Sequence, residues 1–486
     1  MTLTDRSPGS SDLIVVLSAL LVALALRLIV LTASLDTPGD GPIRALVAYA
    51  WSRSSPFETH GSNWLPGFKY LAGMFFLLVT DPSLSTRILN VIIGTLTLPV
   101  FYLLVRRLYG RDPALFSTAL LAVLPLHVGL SASSLTEPSF LFSTVAATTL
   151  LIAALQTPAV HRVYLSLSVL CLYWAVTTRY EAWLLIPLFP AYYYWKTRRL
   201  FGALSILCLL LTFPAGWAGM HYLRSGEPAP FLHAQLQHAT TAVGAVPVEL
   251  VGALRILAYR SVSHLGWILV LGAIAGAIWW SARAIKGHID AEGALHGSIV
   301  LVFWIFMLGF AMFRGRSVVD RNLLFGLVLT LPFMPLMLAR YLRRRRRYLV
   351  LLICVAMISM GYAYLSRRPI VYVTTKQPTS IKTVAAWLET SPYRDDAILL
   401  TKMGWQSTYL PLYARKDASE FLIVSPWTKN VRLREFLAAK QPSLLITRDG
   451  DEEFQSRIEV WLGRGLRADS LVHESGGIKV FALAHP

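Results

Sequence analysis

"NWLPGFKYLAGMFFLLVT", residues 63–80, is apolar enough to enter a bilayer, yet it is short and carries Pro66, Gly67 and Lys69 in its first half. Crossing the hydrocarbon core takes roughly 20 apolar residues. Whether this segment crosses decides the side on which every later loop falls. The basic groups "RRLYGR" (106–111), "KTRR" (196–199), "ARAIKGH" (282–288) and "ARYLRRRRR" (339–347) all share one side if residues 63–80 rest in the interface. If the segment spanned, all four would face outward, against the preference of Lys and Arg in short loops for the cytoplasm. The segment is therefore expected to be an interfacial or re-entrant helix.

Around it the chain is that of a polytopic membrane protein. Of its 486 residues 55% are hydrophobic and only 15% charged, too apolar for a soluble enzyme of this size. About eleven spans are expected, at residues 13–33, 86–105, 113–130, 139–155, 163–176, 182–194, 201–220, 264–280, 296–313, 322–338 and 348–365. The first is long enough to span and has no small-residue cleavage site after it, which fits a retained anchor better than a signal peptide. The net charge of +18 gathers in short groups between apolar runs, as orientation requires, and does not point to nucleic acid. Cys171, Cys208 and Cys354 all lie within apolar runs, where they serve as small packing residues.

From about residue 367 the composition changes. Helix-like "SIKTVAAWLE" and "VRLREFLAAK" alternate with short apolar runs "AILLT", "FLIVS", "SLLIT" and "KVFALA", the pattern of a small α/β domain. The expected organisation is a membrane module over 1–366 and an extracytoplasmic domain over 367–486, with the N-terminus inside. No dinucleotide or phosphate-loop glycine motif is present.

On this topology residues 34–85, 131–138, 177–181, 222–263, 314–321 and everything after 366 face outward, and they hold the carboxylates and unexplained arginines of the membrane region. In "SLDTPGDGPIRALVAYAW" (34–51), Asp36 and Asp40 follow the first span. Carboxylates kept close to hydrocarbon usually face a cavity, a cation or a substrate. The plainer alternative makes Asp40 an N-cap, with Pro42 in the first turn. "SASSLTEPSF" places Glu137 at the outer end of a span, and "TTRYEAW" places Arg179 and Glu181 in a very short loop. In "FRGRSVVDRNLLFG", Arg314, Arg316 and Arg321 run against the positive-inside trend. Guanidinium forks suit a lipid phosphate, with plain anionic-lipid binding as the competing account. The spacing of His233, His238 and His264 matches no metal motif.

The order of "GDGPIRALVAYAW", "HGSNWLPGFKYLAGMFF" and "STRILNVIIGTLTLPVFYLLVRRLYGRDPALFSTALLAVLPLHVGLSASSLTEPSF" resembles the GT-C fold glycosyltransferases, in particular the protein O-mannosyltransferase and aminoarabinose transferase branch. The likeness covers residues 13–155 well and the rest in layout. Three positions depart from that pattern: the usual acidic pair reads Asp40-Gly41, the second family acid is Glu137 rather than Asp, and Lys69 stands where an aromatic is more usual. A second carboxylate in the first loop would have to come from Asp36 or Glu58.

What the resemblance implies is transfer of a sugar from a polyprenyl-phosphate donor to a hydroxyl on a protein, lipid or glycan, at the outer face of the cytoplasmic membrane. Asp40 would be the general base, with Glu137 assisting or positioning the acceptor. Arg314, Arg316 and Arg321, with Lys69, would bind the carrier phosphate. Arg179, Glu181, Asp36 and His60 would line the same cavity. No metal ligand is assigned, although acidic loops of this kind could hold Mg or Mn. The rival class is a lipid or sugar transporter or flippase. Such proteins tend to show repeated halves and acids near the midplane; here the charges gather at the outer ends of spans.

Overall fold

The computed structural model describes residues 10–36, 40–53, 64–226, 246–315, 318–336, 346–367, 379–401, 408–416, 420–424, 430–448 and 467–484. Helix α1 (Ser10–Ala33) turns most of its described surface outward, with a stripe at Ala23, Arg27 and Leu31 buried. That four-residue spacing is one helix face. Arg27 is the polar fixing point in it: Nη1 donates to Ala23 O at 2.8 Å and Nη2 to His127 Nδ1 at 2.8 Å.

Helix α2 (Asp40–Ser52) and helix α3 (Gly67–Phe75) follow and pack on one another. Nine residues at 1.5 Å each reach about 14 Å, less than half the hydrocarbon thickness, so α3 alone is too short to cross. Helix α4 (Ser85–Tyr109) is long and apolar enough to cross, with Arg106 and Arg107 in its last turn. The expected span at 113–130 is instead a bent pair, α5 (Arg111–Val123) and α6 (Pro125–Ser131), at 57°. The break falls at Leu124, with φ −60° and ψ 112°, because the ring of Pro125 disfavours the helical conformation just before it. Helices α7 (Glu137–Gln156) and α8 (His161–Thr178) pack as neighbours, α7 at the centre of the bundle, with Ser168 Oγ donating to Ala147 O at 2.7 Å.

Three expected spans take other forms. Residues 182–194 begin in a 3-10 turn (Tyr180–Leu185) and continue in the short α9 (Leu188–Thr197). After α10 (Leu200–Ser225), the segment expected at 264–280 is part of the much longer α11 (Leu250–Ile285), and α12 (Ala291–Arg314) follows. Residues from 322 on enter through a 3-10 turn (Asp320–Leu323) into α13 (Leu324–Thr330), and α14 (Arg346–Arg367) closes the helical part. Among the described residues seven helices are long and apolar enough to cross a membrane, or eight with the bent pair as one span.

Helix α11 is broken at Gly266, where φ is 78° and ψ is 162°. Only glycine adopts that region readily. A Cβ there would lie 2.2 Å from Ser359 Oγ and 2.7 Å from Ser359 O on α14. Gly266→Ala is expected to destabilise the bundle by about 1–3 kcal/mol. A thermal scan of the purified protein should register a lowered Tm, and an unchanged Tm would contradict the assignment.

The C-terminal region is a five-stranded mixed sheet in the order β2-β1-β3-β5-β4, formed by β1 (Ile398–Thr401), β2 (Phe421–Val424), β3 (Leu444–Arg448), β4 (Arg467–Ser475) and β5 (Ile478–Ala484). Strand β1 runs parallel to β2 and β3, while β5 is antiparallel to β3 and β4. Helices α15 (Thr379–Thr390), α16 (Tyr409–Tyr413) and α17 (Asn430–Lys440) complete it. The four apolar runs became β1, β2, β3 and β5; β4 is polar and half-exposed and gave no such signal. This domain rests on the first loop: Leu35 joins its core, and Leu412 packs with Ala45 and Leu46 of α2.

Candidate active site

The site is built from loop ends that the α4 helix pins together. Arg87 Nε donates to Ala132 O at 2.7 Å and its Nη2 to Leu31 O and Ser34 O at 3.1 Å each, so one buried guanidinium joins the end of α1 to the loop before α7. One turn on, Asn90 Nδ2 donates to Ser133 O and Leu135 O at 2.6 and 2.7 Å. These carbonyls sit beyond helix ends and need donors. Arg87 and Asn90 carry no sequence signal of this role, because they sit inside an apolar run.

So held, Glu137 opens α7, and it is 4% exposed. Thr136, just before it, makes no side-chain cap bond; its Oγ1 accepts from Arg179 Nη1 at 3.1 Å. Arg179 Nη1 also reaches Glu137 Oε1 at 2.5 Å. Its other edge forks onto Glu181, with Nη2–Oε1 at 2.5 Å and Nε–Oε2 at 3.1 Å, and Nη2 meets Asn322 Oδ1 at 3.3 Å. Burial works against charge on Arg179, but Glu181 and Glu137 outweigh it and raise its pKa.

Arg321 is the second bridge. Its Nη2 pairs with Asp40 Oδ2, and its Nε lies 3.5 Å from Glu137 Oε1. Asp40 is the more open of the two acids, at 34% exposure of its side chain. The turn that carries Arg321 is itself anchored, since the buried Asp320 accepts from Arg260 Nη1 of α11 at 2.7 Å, with His264 Nε2 at 3.3 Å. Glu137, Arg179, Glu181, Arg321, Asn322 and Phe325 line one small cavity.

A second cavity lies between α2 and α3, lined by Arg44, Val47, Trp64, Leu65, Phe68 and Lys69. Arg44 lies one turn after Asp40, with its guanidinium 4.0 Å from the centre of the Trp64 ring. Burial lowers its pKa to about 10, against the pull of Asp40 and Glu137. Arg44 and Asn322 were missed from the sequence, although both lie within one helical turn of residues singled out there.

Of the candidate residues, Asp40, Glu137, Arg179, Glu181 and Arg321 come into contact as one chain of charges, and Lys69 lines the adjacent cavity. Arg314 ends α12 with its guanidinium 5.4 Å from the Phe310 ring, and its Nη2 is buried with no hydrogen-bond partner among the described residues. Asp36, 3% exposed, accepts from Ser134 N at 2.8 Å and lies against Gly41, next to Asp40 in the chain. Arg316, His60 and Glu58 lie outside the described residues.

Among the described residues no three His, Cys, Asp or Glu side chains come together as metal ligands, and the carboxylates of Asp40, Glu137 and Glu181 are each met by a guanidinium. The chemistry this arrangement offers is that of one partly open carboxylate beside a second fixed one, next to a pocket edged with cations.

The sequence model of the family "Dolichyl-phosphate-mannose-protein mannosyltransferase" matches residues 59–217, from the approach to α3 through most of α10. No curated protein matches the chain by sequence. Among solved structures, ArnT from Cupriavidus metallidurans bound to undecaprenyl phosphate is 13% identical, with 98% of each chain covered and a TM-score of 0.63. The oligosaccharyltransferase AglB from Archaeoglobus fulgidus, in complex with an inhibitory peptide and a dolichol-phosphate, is 12% identical over 91% of this chain and 70% of its own, at 0.61. The arabinofuranosyltransferase AftD from Mycobacteria is 14% identical over 98% of this chain and 40% of its own, at 0.54. The chain is a multi-pass membrane protein with the GT-C fold of these glycosyltransferases, and its residues 59–217 are similar to the protein mannosyltransferase family.

Proposed function

We propose that the protein is an inverting hexosyl- or pentosyltransferase that moves a sugar from a polyprenyl-phosphate carrier to a hydroxyl on a protein, lipid or glycan. The observation that carries the reading is the pairing of Asp40 and Glu137 through one guanidinium, Arg321, beside a cavity edged by Arg44 and Lys69. Asp40 accepts the proton of the acceptor hydroxyl as its oxygen attacks the anomeric carbon. The bond from that carbon to the phosphate oxygen breaks, and its electron pair leaves with the polyprenyl phosphate. Cations at the leaving phosphate lower the barrier, because charge grows there in the transition state. Glu137 is held by two guanidinium groups and is a poor nucleophile, which favours a single displacement over a covalent intermediate. Its Oε2 is buried without a hydrogen-bond partner among the described residues and suits a second hydroxyl of the acceptor.

The orientation follows from charge. Arg106, Arg107, Lys196 and Arg283 lie in the last turns of α4, α9 and α11, whereas Glu137 opens α7 and the first turn of α4 lies beside it. With those basic ends in the cytoplasm, the site and the sheet domain face outward across the cytoplasmic membrane.

Lys69→Met removes one of the two cations beside the pocket. It is expected to raise KM for a polyprenyl-phosphate-linked sugar about tenfold, the loss of one charge-assisted contact, with the acceptor KM unchanged. Steady-state kinetics in detergent checks this, and an unaltered donor KM would remove Lys69 from the carrier site. Proteoliposomes separate transfer from transport: a transferase cleaves the labelled donor, and a flippase moves it across intact.

A further inference from the structure

Asp36 touches the supports of both acids. Its Oδ1 accepts from Ser134 N at 2.8 Å, and Ser134 lies three residues before Glu137. Its carboxylate fills the space above Gly41, where a Cβ would lie 2.6 Å from Oδ1 and 2.8 Å from Cγ. Gly41 directly follows Asp40, so the first turn of α2 is seated on this side chain. The backbone carbonyl of Asp36 accepts from the buried Tyr409 hydroxyl of α16. Leu412, one turn beyond Tyr409, packs on Ala45 and Leu46 of α2.

We infer that Tyr409 and Asp36 are positioning residues, through which the C-terminal sheet domain sets the placement of Asp40 relative to Glu137. The inference rests on the glycosyltransferase reading. Neither residue touches the acceptor or the donor. The hydroxyl of Tyr409 fixes the backbone of residue 36, the carboxylate of Asp36 fixes both the amide of Ser134 and the start of α2, and the two acids move together as a result. The sheet domain is thereby a working part of the membrane site.

The test uses the full-length purified protein with the variants Tyr409→Phe, Asp36→Ala and Asp36→Asn. Two readouts are taken: amide hydrogen exchange over residues 34–44 and 131–136, and steady-state release of polyprenyl phosphate. Tyr409→Phe keeps the ring and its packing. It is expected to speed exchange at least fivefold in both segments and to lower kcat about tenfold, with KM for the donor within twofold of wild type. Asp36→Ala should do the same more strongly. Asp36→Asn keeps an oxygen for the Ser134 amide and should restore at least a third of the wild-type kcat, unlike the same change at Asp40.

A purely structural role would lower Tm and yield while leaving kcat per folded molecule unchanged, and that result overturns the inference. So does exchange that rises in 34–44 alone, because the coupling would then stop short of Glu137. If the wild-type protein releases no polyprenyl phosphate from any sugar donor, the transferase reading fails. The exchange readout still decides whether Tyr409 governs the two segments together.

Discussion

Asp40→Asn is expected to lower kcat by about 10²- to 10⁴-fold, the usual contribution of a general base, and to leave donor affinity within a few-fold of wild type. The amide has nearly the shape of the carboxylate and still offers Arg321 an oxygen, so the arrangement in which Arg321 Nη2 meets Asp40 Oδ2 survives. What is lost is the capacity to take a proton. Asp40 has the better claim to this role for a reason of access. Its side chain is 34% exposed, whereas Glu137 is 4% exposed and is met by both Arg179 and Arg321. Turnover by Asp40→Asn at more than a tenth of the wild-type rate, with Tm unchanged, would remove Asp40 as the base.

Arg179→Leu is expected to have the largest effect on the folded state. Arg179 answers Glu137 and Glu181 together and is only 13% exposed. Removing one partner of a buried pair costs about 3–5 kcal/mol, because the other charge is left without compensation, and here two carboxylates are left. The yield of monodisperse protein in detergent should fall sharply. The triple change Arg179→Leu, Glu137→Gln and Glu181→Gln removes the stranded charges and should recover most of the Tm but none of the activity. A single Arg179→Leu variant with wild-type Tm would mean that the fork is solvated and contributes little.

The fold was legible where one physical rule dominated. Apolar length marked α1, α4, α7, α8, α10 and α12, and the basic loops kept residues 63–80 from being taken as a span. The rule failed where backbone chemistry interrupts an apolar run, as at Pro125, which bends the α5–α6 pair, and at Gly266, which breaks α11. Periodicity and hydropathy do not register such breaks.

The site was legible as a set of loop ends and illegible in its wiring. Asp40, Glu137, Arg179, Glu181 and Arg321 were singled out because a charge at the end of a span needs a reason. Asp36 was grouped with them on the same ground. The contacts that separate it from Asp40 come from Ser134 and Tyr409, 98 and 373 residues away in the chain. Arg87 and Asn90 escaped notice because their neighbours are apolar and their partners are carbonyls, which have no sequence signature. The Arg314, Arg316 and Arg321 cluster was expected to act as one phosphate clamp. Arg321 sits among carboxylates, and Arg44, on the helix of Asp40, lies with Lys69 beside the second cavity.

The claim that the site breaks the bond between sugar and carrier phosphate is tested most directly by phosphorus NMR. The purified protein is mixed with a polyprenyl-phosphate-linked sugar and an acceptor bearing a free hydroxyl. The account expects the phosphodiester signal to convert to a phosphomonoester at the rate at which glycosylated acceptor appears, with Asp40→Asn inert. A diester that persists while the intact lipid crosses a bilayer, or a monoester that forms equally well with Asp40→Asn, would contradict it.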